Sequence, residues 1–171
     1  MKKKRILAGL LVLSLLFIPS MSVGATCDSS TLTIPASKGK LTSNAWRSVL
    51  PKISGNTYKW NYVVSAKYSG KKKVSSIKTS WYGSASLRNS ASISLGISDS
   101  SVSAGASYTW RYVKTKTKYW NNTNGAKIAD YSSNMIVSPR RDYRDGTISI
   151  INVASVKLKG DSKTYQISAG C

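Results

Sequence analysis

The chain has 171 residues, with 26 Lys and Arg against 6 acidic residues, a formal charge of +20 and no histidine. Without histidine the usual neutral-pH general base is missing, and because all six acids are Asp a glycosidase would need two of them to converge. That balance argues against most enzyme classes and points to partners that carry negative charge.

Residues 1–25 read as a secretory signal peptide. Lys2, Lys3, Lys4 and Arg5 form a positive start, residues 6–18 are almost wholly apolar, and Pro19 ends any helix; Val23-Gly24-Ala25 then supplies the small residues of a cleavage site. The 13-residue apolar run falls short of the roughly 20 residues that a membrane-spanning helix needs, so a retained anchor is the weaker reading. Lipidation of Cys27 is rejected, because Gly24 and Thr26 stand where that chemistry wants a branched apolar residue and a Gly or Ala. The lysine-dense start suits export from a Gram-positive bacterium. What remains is one secreted domain over residues 26–171, with 22 basic residues against 6 Asp, a net +16.

In that domain the two cysteines lie second and last. Outside a cell thiols are normally oxidised, so a Cys27–Cys171 bridge is expected, with pairing between two copies as the alternative. The bridge would close a loop of 145 residues, worth about 5 kcal/mol in the chain-entropy model.

Alternation with a period of two dominates the domain, as in half-buried strands. Leu32 and Ile34 alternate before Pro35, while residues 45–50 are ambiguous. Tyr58, Trp60, Tyr62, Val64, Ala66 and Tyr68 then hold every second position, and Ser69-Gly70-Lys71 reads as a turn. Ile77, Trp81, Ala85, Leu87, Ala91, Ile93, Leu95 and Ile97 hold odd positions. Past Asp99-Ser100-Ser101, Val102, Ala104, Ala106, Tyr108, Trp110 and Tyr112 hold even ones. A parity flip across a short polar segment keeps one face of a hairpin apolar, so a long central hairpin is predicted over 83–112. Residues 131–137, 147–159 and 163–169 supply the remaining strands, the last two joined at Gly160-Asp161. The pattern predicts an all-β domain, an antiparallel β-sandwich or an elongated twisted sheet of about 7–8 strands. Residues 57–63 and 107–113 resemble one another, as pseudo-symmetric strands or by chance in a Tyr- and Trp-rich chain.

Among catalytic arrangements, Asp142 and Asp145 are the closest carboxylates, but Arg140, Arg141 and Arg144 flank them, so they read as neutralising a basic loop. Ser-x-x-Lys occurs at Ser37/Lys40, Ser69/Lys72 and Ser75/Lys78, as often as chance gives in a chain this rich in Ser and Lys. No catalytic residue, metal site or cofactor is expected.

Binding is better supported. Lys71, Lys72 and Lys73 crowd one turn; Lys114, Lys116 and Lys118 have strand spacing and would line one face; Arg140, Arg141 and Arg144 form a third cluster, and Lys157, Lys159 and Lys163 a fourth. Each cluster alone also reads as solvated surface. Their sum favours an anionic polymer or membrane surface, teichoic acid or acidic head groups, with Trp110 and Tyr112 as aromatic contacts. Nucleic acid suits the chemistry but not the compartment. An antimicrobial or toxin-like role would follow. The rivals are a pore-forming hairpin over 83–112, whose arms exceed the roughly 9–11 residues of a tilted transmembrane strand, a structural cell-surface or matrix protein, and a protein-binding inhibitor.

Overall fold

The computed structural model describes residues 25–36 and 38–171; the expected signal segment, apart from Ala25, and Ser37 lie outside the described residues. In chain order the strands are β1 (Ala25–Ile34), β2 (Gly39–Ser48), β3 (Lys52–Ser54), β4 (Thr57–Ser69), β5 (Val74–Leu87) and β6 (Ser92–Ser94). They continue with β7 (Val102–Ser103), β8 (Arg111–Lys114), β9 (Lys118–Asn122), β10 (Ile128–Ser138), β11 (Ser149–Leu158) and β12 (Thr164–Gly170). Seven have seven residues or more and five are shorter. The long ones are those that alternation marks, apart from β2, whose residues 39–44 it does not mark and whose residues 45–48 it leaves ambiguous.

All pairings are antiparallel and build two sheets. One runs β1-β2-β4-β10-β6-β7 with β3 beside β4; the other runs β12-β11-β5, with β8 and β9 both along the free edge of β5. The sheets pack face to face, so of the two architectures open in the sequence the sandwich is the one formed, its larger sheet curled. The period-two face of β4 (Trp60, Tyr62, Val64, Ala66, Tyr68) is buried, as is that of β5 from Ile77 to Leu87. Gly83 lies on this inner face; a Cβ there would stand 2.9 Å from Met135 Sδ, so glycine lets the sheets close at that point.

Two apolar clusters fill the sandwich. One gathers around Trp60, Tyr62, Trp81 and Leu95, the other around Ile34, Leu41, Ile77 and Val156. Between them runs a polar belt. Asn152 of β11 is fully buried; its Nδ2 donates to Ser43 Oγ (3.0 Å), Asn44 O (3.1 Å) and Ser65 O (2.9 Å), and its Oδ1 accepts from Thr79 Oγ1 (2.6 Å). These bonds join β2 and β4 of one sheet to β5 and β11 of the other. Within the first cluster Trp81 Nε1 donates to Tyr62 Oη (3.0 Å), which donates to Leu95 O (3.2 Å). Burial pushes the Tyr62 phenol up to about 12.

The expected central hairpin is present at its base and its tip. Residues 84–87 pair with 111–114, and Ser92 and Ile93 pair with Ser103 and Val102. Between them it folds over: Asn89 and Ser90 take positive φ (48° and 62°), and the chain crosses from one sheet to the other. The even parity expected through Tyr112 also breaks. Val113 is the inward residue of β8, while Tyr108 is 88% exposed and Tyr112 faces solvent. Residues 57–63 therefore belong to a core strand, whereas 107–113 run from an exposed connection into the short edge strand β8, which makes their likeness a matter of composition rather than symmetry.

The Cys27–Cys171 bridge is not formed; the two sulfurs do not stand at disulfide distance. The two ends of the described residues do meet, since the Asp28 carboxylate accepts the Gly170 N–H (3.0 Å). Alternation keeps the thiols apart. Asp28 points across the sandwich, so its neighbour Cys27 projects from the outer face of β1 beside Trp46, whereas Cys171 packs against the core.

Candidate functional site

Because every long strand reverses direction, the connection between β1 and β2 and turns 70–73, 123–127 and 159–163 all fall at one end of the sandwich. They carry seven lysines, Lys38, Lys71, Lys72, Lys73, Lys127, Lys159 and Lys163, and one acid, Asp161. Asp161 is taken by Lys38, whose Nζ lies 2.7 Å from Oδ1. That contact, with the Tyr165 hydroxyl, holds the Asp161 carboxyl below its ordinary value. Lys71, Lys72 and Lys73 meet Lys127 and Lys159 around an open cup of about 320 Å³ whose lining includes no carboxylate. Two hydrogen bonds to backbone carbonyls fix the cup: Lys159 N donates to Lys73 O (2.8 Å), and Lys127 Nζ donates to Gly70 O (2.7 Å). Lys127 was in none of the expected clusters, and Lys159 was expected with Lys157 and Lys163; only the folded turns bring these two to the first three.

The opposite end is built differently. All six arginines of the described residues, Arg47, Arg88, Arg111, Arg140, Arg141 and Arg144, gather there, and Lys52 is the one lysine on its connections. Asp142, on a single 3-10 turn at Arg140–Asp142, is buried and accepts from Asn89 Nδ2 (2.7 Å) and Arg88 Nε (3.3 Å), with Arg141 Nε at 3.5 Å. Arg140 lies over the Tyr58 ring, and the Arg88 guanidinium stands 4.6 Å from the Trp110 ring centroid. Arg140, Arg141 and Trp110 thus belong to this arginine end, apart from the lysine cup. Asp142 and Asp145 line different cavities on either side of one segment, so the two carboxylates do not converge.

The Asn89 and Arg88 hydrogen bonds hold the Asp142 carboxyl below its ordinary value, against the opposing effect of burial. A carboxyl with a depressed folded-state pKa stabilises the fold above its unfolded value and loses that contribution as pH falls through the folded one. Asp142→Asn is therefore expected to lower the melting temperature most near neutrality, the gap to wild type closing on acidification from about pH 5 to about pH 2. Thermal melts of both proteins across that range check it; a gap that stays constant would assign Asp142 a purely steric role.

The expected row of Lys114, Lys116 and Lys118 is broken. Lys114 pairs with Ser84 and Lys118 with Trp81, so Thr115, Lys116 and Thr117 oppose only Tyr82 and Gly83, a bulge in the edge. Thr115 turns inward, accepting the Gly83 N–H on Oγ1 (3.0 Å) while its own N–H donates to Gly83 O (2.9 Å). Lys114, Lys116 and Lys118 therefore do not form one row. Lys114 instead sits between the rings of Tyr82 and Tyr112 (5.3 and 5.8 Å), and Tyr112 Oη bonds Ser84 Oγ (2.6 Å). With Lys78 beside Tyr119, the outer face of this sheet interleaves lysines with tyrosines. The chain matches no protein-family model and no curated protein.

Proposed function

We propose that the chain is an exported cationic protein that binds polyanionic material of the bacterial cell envelope, a teichoic-acid-type wall polymer or an acidic membrane surface. The observation that carries this reading is the lysine cup: five ammonium groups from three turns around one opening, with no carboxylate lining it. Like charges that close repel, and no carboxylate lines the cup, so an anion entering it relieves the repulsion as well as making contact. A chain of phosphates could run from the cup onto the lysine–tyrosine face of the second sheet. An antimicrobial or toxin-like role fits such binding. The pore-forming hairpin draws less support, because Ala85, Leu87, Ala91, Ile93 and Leu95 are core residues with no exposure, and a stem built from them would leave the sandwich unfilled.

Sedimentation of the protein with purified wall polymer, anionic vesicles and neutral vesicles tests the reading. Binding to the anionic materials at low salt is expected to fade as salt shortens screening to about 10 Å at 0.1 M. Equal binding to neutral and anionic vesicles, or none to any material, overturns it.

A further inference from the structure

A second cavity, of about 550 Å³, opens at the arginine end between the β2–β3 connection and the 143–148 connection. Its floor is aromatic: Tyr58, Trp60 and Tyr143 meet edge to face, with centroids 5.3 to 6.0 Å apart. Its mouth is aliphatic. Leu50 is 77% and Ile53 61% exposed, and both line the opening. Large aliphatic side chains that project beside a concave aromatic floor are apolar surface awaiting a cover, and the volume lies in the range of small-ligand sites.

Arg47 supplies the polar element. Its Nη1 donates to Ser48 O (3.1 Å), yet its Nε is the one buried side-chain nitrogen or oxygen among the described residues with no hydrogen-bond partner. None of the ion pairs among the described residues includes Arg47, although Asp145 lines the same cavity. A buried, unpaired guanidinium N–H is costly, and each such group in a folded protein calls for a reason. An anion at Arg47 would satisfy it, and the guanidinium fork suits phosphate or carboxylate. The other five arginines at this end would draw an anion towards the opening.

We propose that this cavity binds a single-chain anionic amphiphile, its aliphatic part against Leu50, Ile53 and the aromatic floor and its phosphate or carboxylate head at Arg47. The site lies at the other end of the molecule from the lysine cup and stands or falls independently of polymer binding. Calorimetric titration of the protein with dodecyl phosphate below its micelle concentration is expected to show saturable one-to-one binding. Dodecyl maltoside, dodecyltrimethylammonium and inorganic phosphate should each bind far more weakly. Arg47→Gln should weaken dodecyl phosphate by about tenfold or more, through loss of a charge-assisted contact. The surface double variant L50S/I53S, which leaves the core intact, should do the same through lost apolar contact. Lys71→Gln, Lys72→Gln and Lys73→Gln together should leave this affinity unchanged while reducing polymer binding. Wild-type affinity in L50S/I53S overturns the site, and that variant decides the matter if R47Q does not fold; wild-type affinity in a folded R47Q overturns it equally. Equal binding of the neutral or cationic detergent, or binding to anionic vesicles with none to monomeric dodecyl phosphate, also overturns it.

Discussion

Replacing Lys71, Lys72 and Lys73 together by Gln is expected to weaken binding to anionic vesicles or wall polymer by roughly two decades. Each lysine held at an acidic surface contributes about 1 kcal/mol, and a decade of affinity corresponds to about 1.4 kcal/mol. All three side chains are exposed, so the fold should be untouched and circular dichroism should not change. The same exchange at Lys114, Lys116 and Lys118 should cost less, because the bulge spreads those ammonium groups rather than aligning them. Vesicle sedimentation at low salt, with both triple variants side by side, makes the comparison. Equal losses from the two would mean that net charge alone governs binding and that the cup has no special part in it.

The second large effect concerns the fold. Asn152→Ala removes the hub of the polar belt, leaving the Thr79 hydroxyl without its 2.6 Å acceptor and depriving the Asn44 and Ser65 carbonyls of a donor. A buried polar group left unsatisfied costs about 1–3 kcal/mol, so the variant should lose about 3 kcal/mol or more. Stability of a domain this size is on the order of 5–15 kcal/mol in total. Urea denaturation should show the midpoint fall with little change in slope. A loss under about 1 kcal/mol would mean that the two apolar clusters hold the sheets together without the belt.

The long strands were legible because their alternation is strict and their inward residues are unambiguously apolar. Trp60 to Tyr68 and Ile77 to Leu87 are buried on the faces that spacing assigns. The sequence failed at residues 104–112, where the alternating residues include Tyr108, Trp110 and Tyr112. These side chains are apolar in body and polar at the tip, so alternation among them does not say which face is wet. Most of β2 went unmarked for a related reason, its inward face being Leu41, Ser43 and Ala45; Ser43 is buried only because Asn152 waits for it across the sandwich. The lysine triplet of the cup was visible as a run, but Lys127 and Lys159 join it through turns that lie far apart in sequence and share one end. The Cys27–Cys171 expectation was right that the segments carrying the two cysteines come together. It erred because compartment and position in the chain say nothing about which face of a strand a side chain takes.

The bulge at Thr115–Thr117 has a further consequence, for the molecule's behaviour among its own copies. A straight, unpaired strand edge is a template on which another copy can add its own edge, and repetition of that step makes fibres. Here the edge beside β5 changes course where Thr115 turns inward, and Lys116 and Lys118 stand at the break. A neighbouring strand would meet a broken row of N–H and C=O groups as well as two ammonium groups. Salt screens the second obstacle but not the first, so raising the salt concentration leaves this edge closed to stacking.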